Sequence, residues 1–570
     1  MGGLLLVTML VAACGSPDSS APPASPDDSR PTSATPRFSD ITEEAGLGGF
    51  RHETGAVGDK WFPESMGSGC AFIDYNGDGR PDILLAGGGS WSATDRPTLS
   101  LYRNDGGGTF KDVTAEVGLG QVDAYTLGFA VADYDNDGDQ DFYVTTLSEN
   151  ILFRNNSGIF APVDAGVAGD PVWSSSALFF DANGDGAVDF YVGNYVRWSP
   201  ETDIFCSLDG IRKDYCTPEA YDGVPGRFYV NNGDGTFRDA TEDAGFVPAP
   251  GKALGVVELD YNRDGAPDLA VASDTEPDLL YENNGDGTFT ERGTIAGIAY
   301  DENGAARAGM GIDAGVVDST GEVSLFVGNF SKETIGVYRH ARVGLFEDRA
   351  FVSKIGRPSL MTLTFGLFLF DVDLDGDLDL FAANGHVQPD IETVDESVRY
   401  AEAPHLFVNQ GDGSFVDAAP KIGGVLSERI VARGSAHADI DGDGDLDVLV
   451  TENGGRVHLW RNELNDSGRD LEPSTGFLRV TLEGTRSNRS GLSARIVAVS
   501  EGRWMERRVR SGSTYLSASE LPVTFGLGSA SSVDSLAVEW PSGRIDHFTH
   551  VSGNRHVRLV EGSDSIHYVD

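Results

Sequence analysis

One nine-residue pattern, D-x-[DN]-x-D-G-x-x-D, occurs six times in this chain and constrains its fold more than any other feature. The first three copies are Asp74-Tyr-Asn76-Gly-Asp78-Gly-Arg80-Pro-Asp82, Asp133-Tyr-Asp135-Asn-Asp137-Gly-Asp139-Gln-Asp141 and Asp181-Ala-Asn183-Gly-Asp185-Gly-Ala187-Val-Asp189. Then come Asp260-Tyr-Asn262-Arg-Asp264-Gly-Ala266-Pro-Asp268, Asp371-Val-Asp373-Leu-Asp375-Gly-Asp377-Leu-Asp379 and Asp439-Ile-Asp441-Gly-Asp443-Gly-Asp445-Leu-Asp447. A degenerate seventh copy, Val317-Asp318-Ser-Thr-Gly-Glu322-Val-Ser324, is two residues shorter and carries Ser where the last Asp belongs. A second element alternates with the first: Leu101-Tyr-Arg-Asn, Leu152-Phe-Arg-Asn, Phe228-Tyr-Val-Asn, Leu280-Tyr-Glu-Asn, Val337-Tyr-Arg-His, Leu406-Phe-Val-Asn and Leu459-Trp-Arg-Asn. Its first and last copies are 358 residues apart in six steps, about 60 per repeat, which suits a four-stranded propeller blade with generous loops. The expected fold is all-β: a seven-bladed β-propeller over residues 38–465, followed by a small β-sandwich over 476–562.

Most copies of the second element continue into a hairpin turn and a strand, as in Asn284-Gly-Asp-Gly-Thr-Phe289, but the Leu459 copy does not. The missing piece stands at the other end, where Phe38-Ser-Asp-Ile-Thr-Glu-Glu-Ala-Gly-Leu47 matches Phe110-Lys-Asp-Val-Thr-Ala-Glu-Val-Gly-Leu119. The first ordered segment is therefore expected to complete the last blade and remove the unpaired sheet edge at the seam.

In each intact loop the side chains at positions 1, 3, 5 and 9 and the backbone carbonyl at position 7 can converge, with Gly at position 6 permitting the sharp turn. An all-oxygen, carboxylate-rich set selects a hard cation, and calcium before magnesium because the protein supplies many ligands. Six structural calcium sites are expected, and the Asn-containing loops are those most readily emptied. An EF-hand would need Glu at position 12 and helical flanks; that position holds Leu85, Val144, Val192, Val271, Ala382 and Val450, and the flanks read as strands. The chain has 89 acidic against 42 basic residues, a formal charge of −47, which excludes nucleic acid as a default partner and makes cations the natural ones. Six bound calcium ions would bring that charge to about −35.

At the N-terminus, Leu4 to Val11 is an apolar run, and Val11-Ala12-Ala13-Cys14 resembles a bacterial lipobox, so residues 1–13 are expected to be a signal peptide and Cys14 the lipidated residue. No Lys or Arg precedes the run, which departs from the usual pattern and suggests a start further upstream. Residues 14–37 are rich in Ser, Pro, Asp and Ala and would act as a tether. Gly15 after Cys14 favours the outer membrane or cell surface, within a bacterial cell envelope. No apolar run is long enough for a transmembrane helix. Cys206 and Cys216, ten apart in one long loop, are expected to form a disulfide, as an oxidising compartment allows. Cys70, in an apolar strand, is expected to be an inert buried thiol.

The loop-and-strand unit with its N-x-G-D-G-T-F turns resembles the FG-GAP (VCBS) repeats of integrin α-subunit propellers. In that family the calcium loops brace the blades on one face and ligands bind on the other. The segment from Phe477 to about Glu561 resembles the ASPIC/UnbV domain through Gly484-Thr-Arg-Ser-Asn-Arg-Ser-Gly491, Tyr515-Leu-Ser, Phe525-Gly-Leu-Gly528 and Val538-Glu-Trp-Pro-Ser-Gly-Arg544. Together they are similar to the bacterial branch of the cartilage acidic protein family. Two departures stand out: the fifth blade's loop lacks the ligand set, and no Arg-Gly-Asp sequence is present.

A propeller hosts binders and enzymes alike. The function expected is a non-catalytic, calcium-stabilised surface lipoprotein, a monomer, binding a protein or glycan in adhesion or envelope assembly. Its candidate surface is the long insert Asn194 to Arg227, with Trp198, the cysteine pair, Tyr215 and Tyr221. The alternative is a carbohydrate-active hydrolase or lyase using paired carboxylates, but the abundant Asp residues sit where calcium ligands belong. No nucleophile elbow, H-E-x-x-H, P-loop or dinucleotide fingerprint is present. His386 and His437 are isolated and are expected to be packed. The arginine cluster Arg503, Arg507, Arg508 and Arg510 could dock on the acidic propeller, meet lipid headgroups or an anionic polymer, or form a solvated strand face.

Overall fold

The protein is described by a computed structural model over residues 35–91, 98–207, 210–246, 251–465 and 475–569. Cys14, the leader and most of the tether lie outside the described residues.

Each repeat folds as a four-stranded antiparallel sheet. In blade 1 the strands are Cys70–Ile73, Asp82–Ala86, Leu99–Gly106 and Thr109–Asp112, paired in that order from the ring centre outward. Blades 2 to 6 repeat this order with innermost strands Thr126–Ala132, Ser174–Phe180, Ala253–Leu259, Ile312–Val316 and Thr364–Phe370. The acidic nonapeptide is the turn between first and second strands; the Leu-Tyr-x-Asn element is the third. In blade 7 the strands Ala432–Ala438, Asp447–Glu452 and Val457–Asn462 come from the end of the repeat array, while the outer strand is Phe38–Asp40, pairing Phe38 with Asn462 and Asp40 with Trp460. Each innermost strand packs on the next, and Ala432–Ala438 returns to Cys70–Ile73, so the ring is closed. The sequence match at Phe38–Leu47 expected this closure.

The remaining strands build two more four-stranded sheets. One is ordered Val523–Gly528, Gly476–Glu483, Arg555–Val560, Ile566–Val569; the other is ordered Arg503–Arg508, Arg495–Ser500, Ser532–Glu539, Ile545–Ser552. Leu478 and Val480 of the first share a buried core with Ile496, Leu536 and Phe548 of the second, and this core continues into Tyr134 and Phe179 of the propeller.

That continuity has a specific cause. The inner strand of a blade is a sheet edge whose N–H and C=O groups need partners. The segment 509–522, between two strands of the C-terminal domain, supplies them to all seven blades. Ala518 donates its N–H to Cys70 O and accepts that of Phe72 (both 3.0 Å); Leu516 O accepts Phe129 N–H at 3.1 Å; Thr514 donates to Ile312 O at 2.7 Å. Hydroxyls serve the rest: Ser511 Oγ accepts Phe179 N–H at 2.7 Å, Thr514 Oγ1 accepts Leu367 N–H at 2.6 Å, and Ser519 Oγ accepts His437 N–H at 3.1 Å. Blade 4 joins through a bridge between Gly255 and Tyr515. The close approach requires glycine on the ring side: a Cβ on Gly69 would lie 1.7 Å from Leu516 O, and one on Gly128 would lie 2.9 Å from Leu516 Cα. The C-terminal domain thus plugs the central channel.

Candidate metal centres on the repeat loops

The six intact loops share one hydrogen-bond scheme. The carboxylate at position 1 accepts the N–H of the position-6 glycine through Oδ2, at 2.8 to 3.2 Å, from Gly79 on Asp74 to Gly444 on Asp439. All six of these glycines have positive φ, between 81° and 99°. The Asp at position 9 accepts the position-2 N–H through Oδ2, as Asp82 does from Tyr75 at 3.3 Å. Its Oδ1 accepts the N–H of the Asn closing the third strand, at 2.7 to 2.9 Å: Asn104 on Asp82, Asn155 on Asp141, Asn231 on Asp189, Asn283 on Asp268, Asn409 on Asp379 and Asn462 on Asp447.

The side-chain amides of these asparagines do something the sequence did not reveal. Each donates to a carbonyl of the preceding blade's loop: Asn155 to Tyr75 O at 2.7 Å, Asn231 to Tyr134 O at 3.0 Å, Asn283 to Ala182 O at 2.7 Å, Asn409 to Val317 O at 2.8 Å, Asn462 to Val372 O at 3.0 Å, and Asn104, across the seam, to Ile440 O at 2.8 Å. The loops are therefore latched round the ring. Blade 5 breaks the series, because His340 stands in this place and its Nδ1 faces Arg342 O instead. The same blade has the degenerate loop, where Arg339 pairs with Asp318 and Arg263 with Glu322 at 3.0 Å, so guanidinium groups meet the carboxylates that remain.

Three loops bring carboxylates together closely. Asp133, Asp135 and Asp141, then Asp371, Asp373 and Asp379, then Asp439, Asp441 and Asp447 each offer oxygens within 4.8 Å of one another. At that separation a pair of carboxylates repels by about 3 to 4 kcal/mol at an effective dielectric of about 20. Burial pushes Asp82, Asp141, Asp189 and Asp268 up to about 8, and Asp133 to about 7. Asp371, Asp379 and Asp447 are raised well above the carboxylate range, first by burial and then by neighbouring charges, although Arg507 opposes the shift at Asp371. Asp135, Asp260, Asp371 and Asp445 each retain a buried Oδ1 with no hydrogen-bond partner. Oxygen-only donors, orphaned carboxylate oxygens and a positive-φ glycine together fit a hard divalent cation. In the Asn-containing loops the position-3 amide instead donates to position 5, as Asn76 does to Asp78 at 3.0 Å, Asn183 to Asp185 at 2.9 Å and Asn262 to Asp264 at 2.8 Å, so part of the charge is already satisfied.

Residues 484–566 match the ASPIC and UnbV family, and residues 74–144, 203–271, 260–327 and 371–450 match the FG-GAP-like repeat. The chain is an FG-GAP-repeat protein with an ASPIC/UnbV domain. It is homologous to cartilage acidic protein 1: it is 24% identical to the Homo sapiens protein over 513 residues, 85% of this chain and 70% of that one. Against the Xenopus tropicalis protein it is 22% identical over 519 residues, 85% and 71% of the two chains. Among solved structures, an Agrocybe aegerita lectin that recognises non-reducing terminal N-acetylglucosamine covers 62% of this chain and 79% of its own at 17% identity, with a TM-score of 0.38.

The other expected residues of this FG-GAP protein are placed as follows. Cys206 and Cys216 are joined by a disulfide. Cys70 is fully buried and its thiol is pushed up to about 12 by desolvation. His437 packs 5.0 Å from the Phe368 ring and His386 5.1 Å from the Phe330 ring, and burial lowers them to about 3 and 4, respectively. The insert crosses the ring face away from the loops: Tyr215 donates to Glu64 at 3.1 Å, its carbonyl accepts from Gln388 at 2.7 Å, and Tyr221 stacks on Phe62 at 5.3 Å. Trp198 joins Trp61 and Trp91 in an aromatic cluster, and Phe205, beside the disulfide, is 65% exposed. The ASPIC/UnbV arginines Arg503, Arg507, Arg508 and Arg510 face propeller carboxylates rather than solvent.

Proposed function

We propose that this chain is an exported, non-catalytic binding protein whose propeller is braced by calcium in its six intact loops. The observation that carries the reading is the convergence of buried carboxylates in the loops of blades 2, 6 and 7, with oxygens left unpartnered where a cation would sit. Asp74, Asp78 and Asp82 of blade 1, and their counterparts in blades 3 and 4, would hold the remaining ions with Asn76, Asn183 and Asn262. The disulfide in the insert is consistent with export, and Cys14 would provide a lipid anchor in the envelope.

The ASPIC/UnbV domain packs on part of the loop face, and the partner surface is read on the opposite face. There the disulfide-pinned insert offers Phe205 and Ile204, both exposed, beside partly buried Trp61 and Trp91. Rigid aromatic and aliphatic groups beside polar tips suit a protein or glycan partner. The reading is tested by capture from envelope extract and a glycan panel with calcium-loaded protein, comparing wild type with Phe205→Asp. A partner lost in the variant, with no product released from any glycan, is the expected result. Turnover of a glycan would overturn the non-catalytic reading.

A further inference from the structure

The ASPIC/UnbV domain delivers arginines to the first ligand position of three loops. Arg508 Nη2 donates to Asp260 Oδ2 at 3.4 Å in blade 4, Arg507 Nη2 donates to Asp371 Oδ2 at 3.3 Å in blade 6, and Arg479 Nη1 lies 3.9 Å from Asp439 Oδ2 in blade 7. In each case this is the oxygen that accepts the position-6 glycine N–H. Asp371 Oδ2 takes a further N–H from Gly526 of the same domain at 2.9 Å. Its Oδ1, like that of Asp260, has no hydrogen-bond partner. Arg507 is aimed by bonds to Thr524 O at 3.2 Å and Gly376 O at 3.3 Å, and Arg479 by Glu520, which also accepts Asp439 N–H at 3.1 Å. Among the described residues, no arginine of that domain pairs with Asp74, Asp133 or Asp181, the equivalent positions of blades 1 to 3.

We propose that Arg507 and Arg508 are positioning residues for the cation sites of blades 6 and 4, so that these two sites bind calcium tightly only while the ASPIC/UnbV domain is seated. The inference rests on the calcium reading above. A carboxylate pinned through Oδ2 holds Oδ1 in a fixed orientation, and the ion then has less ligand freedom to remove. Partners of this outer kind are typically worth about 10- to 100-fold in metal affinity. Guanidinium and calcium also repel one another, so the proposal requires that the fixed orientation of the ligand oxygen outweigh that repulsion, and tighter calcium binding in Arg507→Gln or Arg508→Gln would overturn it. By linkage, calcium in these loops favours seating of the domain by the same factor that seating favours calcium.

Calcium titration calorimetry on the full chain, on Arg507→Gln and on Arg508→Gln tests this, with Arg544→Gln, whose partner Asp546 lies within the domain, as control. Each of the two variants should weaken one site by about 10-fold or more while the other sites and the control keep wild-type affinity, and Arg507→Lys should recover part of the loss. In wild type, hydrogen exchange at the Thr514 and Ala518 amides should slow on adding calcium. Should Arg507→Gln fail to fold, Arg508→Gln carries the same test at blade 4. Unchanged affinities in the variants, or an equal weakening of every site, would overturn the coupling alone. A wild-type chain that binds no calcium would overturn the calcium reading with it.

Discussion

At the scale of single residues, the asparagines ending the third strands each join two blades. Asn155 is fully buried; its amide donates to Tyr75 O and to Gln140 O at 3.0 Å, and its carbonyl accepts Gly158 N–H at 2.7 Å. Asn155→Ala leaves these buried partners unpaired, and the denaturant midpoint should report a loss of about 2 to 4 kcal/mol. Buried carboxylates away from the loops set the pH response. Burial pushes Glu402 up to about 8, Asp278 to about 8 and Asp274 to about 7, against an ordinary carboxylate value near 4. Between about pH 4 and pH 8 the folded state then holds protons that the unfolded chain has released, so stability falls as pH rises through that window. With calcium saturating throughout, the melting temperature should drop from pH 5 to pH 8, and Glu402→Gln should flatten part of that slope; an equal slope in the variant would discount Glu402. The repeated Asn was plain in the sequence as a mark of the third strand. Its partner was not, because the carbonyl it reaches lies about 80 residues away in chain order, in Tyr75 of the neighbouring blade.

At the scale of elements, the loops were legible because their carboxylate set and their turn lie within nine residues. Carboxylates at alternate positions and a glycine at the left-handed turn are local requirements. Gly138 has φ +99° with nothing within 4 Å of an added Cβ, whereas a Cβ on Gly376, at φ +95°, would meet Met505 Sδ at 2.8 Å. Gly138→Ala should therefore cost only the backbone strain, about 1 to 2 kcal/mol, and Gly376→Ala distinctly more, as measured by thermal melting of each. The blade-5 loop was equally readable as lost, from its shortened length and missing Asp. What meets its remaining carboxylates was not readable, since Arg263 and Arg339 come from other turns and strands. The insert stood out by its length, and its cysteines do form the expected disulfide, but its path across the ring to Glu64 and Gln388 depends on contacts more than 150 residues apart in sequence.

For the whole molecule, the decisive element is the plug, and sequence alone left the arginine cluster next to it open between docking, lipid contact and solvent. In the sequence, Tyr515-Leu-Ser was only a mark of the family; a closed ring is what gives the backbone and hydroxyl groups of Ser511 to Ser519 seven inner strands to meet. Tyr515 lies at the centre, 1% exposed, donating to Met66 O at 3.0 Å and packed 4.8 Å from the Phe365 ring. Tyr515→Ala should cost about 3 to 5 kcal/mol, and the ring and the ASPIC/UnbV domain should still melt in one transition, because their core is continuous. Two separated transitions in wild type would contradict that unity. The central claim is that calcium braces the ring, and differential scanning calorimetry of the chain from Thr32 to Asp570, with saturating calcium and with chelator, tests it most directly. A site filled at 100 times its dissociation constant contributes about 2.7 kcal/mol, so losing several should lower the melting temperature by on the order of 10 °C. A melting temperature that chelator leaves unmoved would contradict the account.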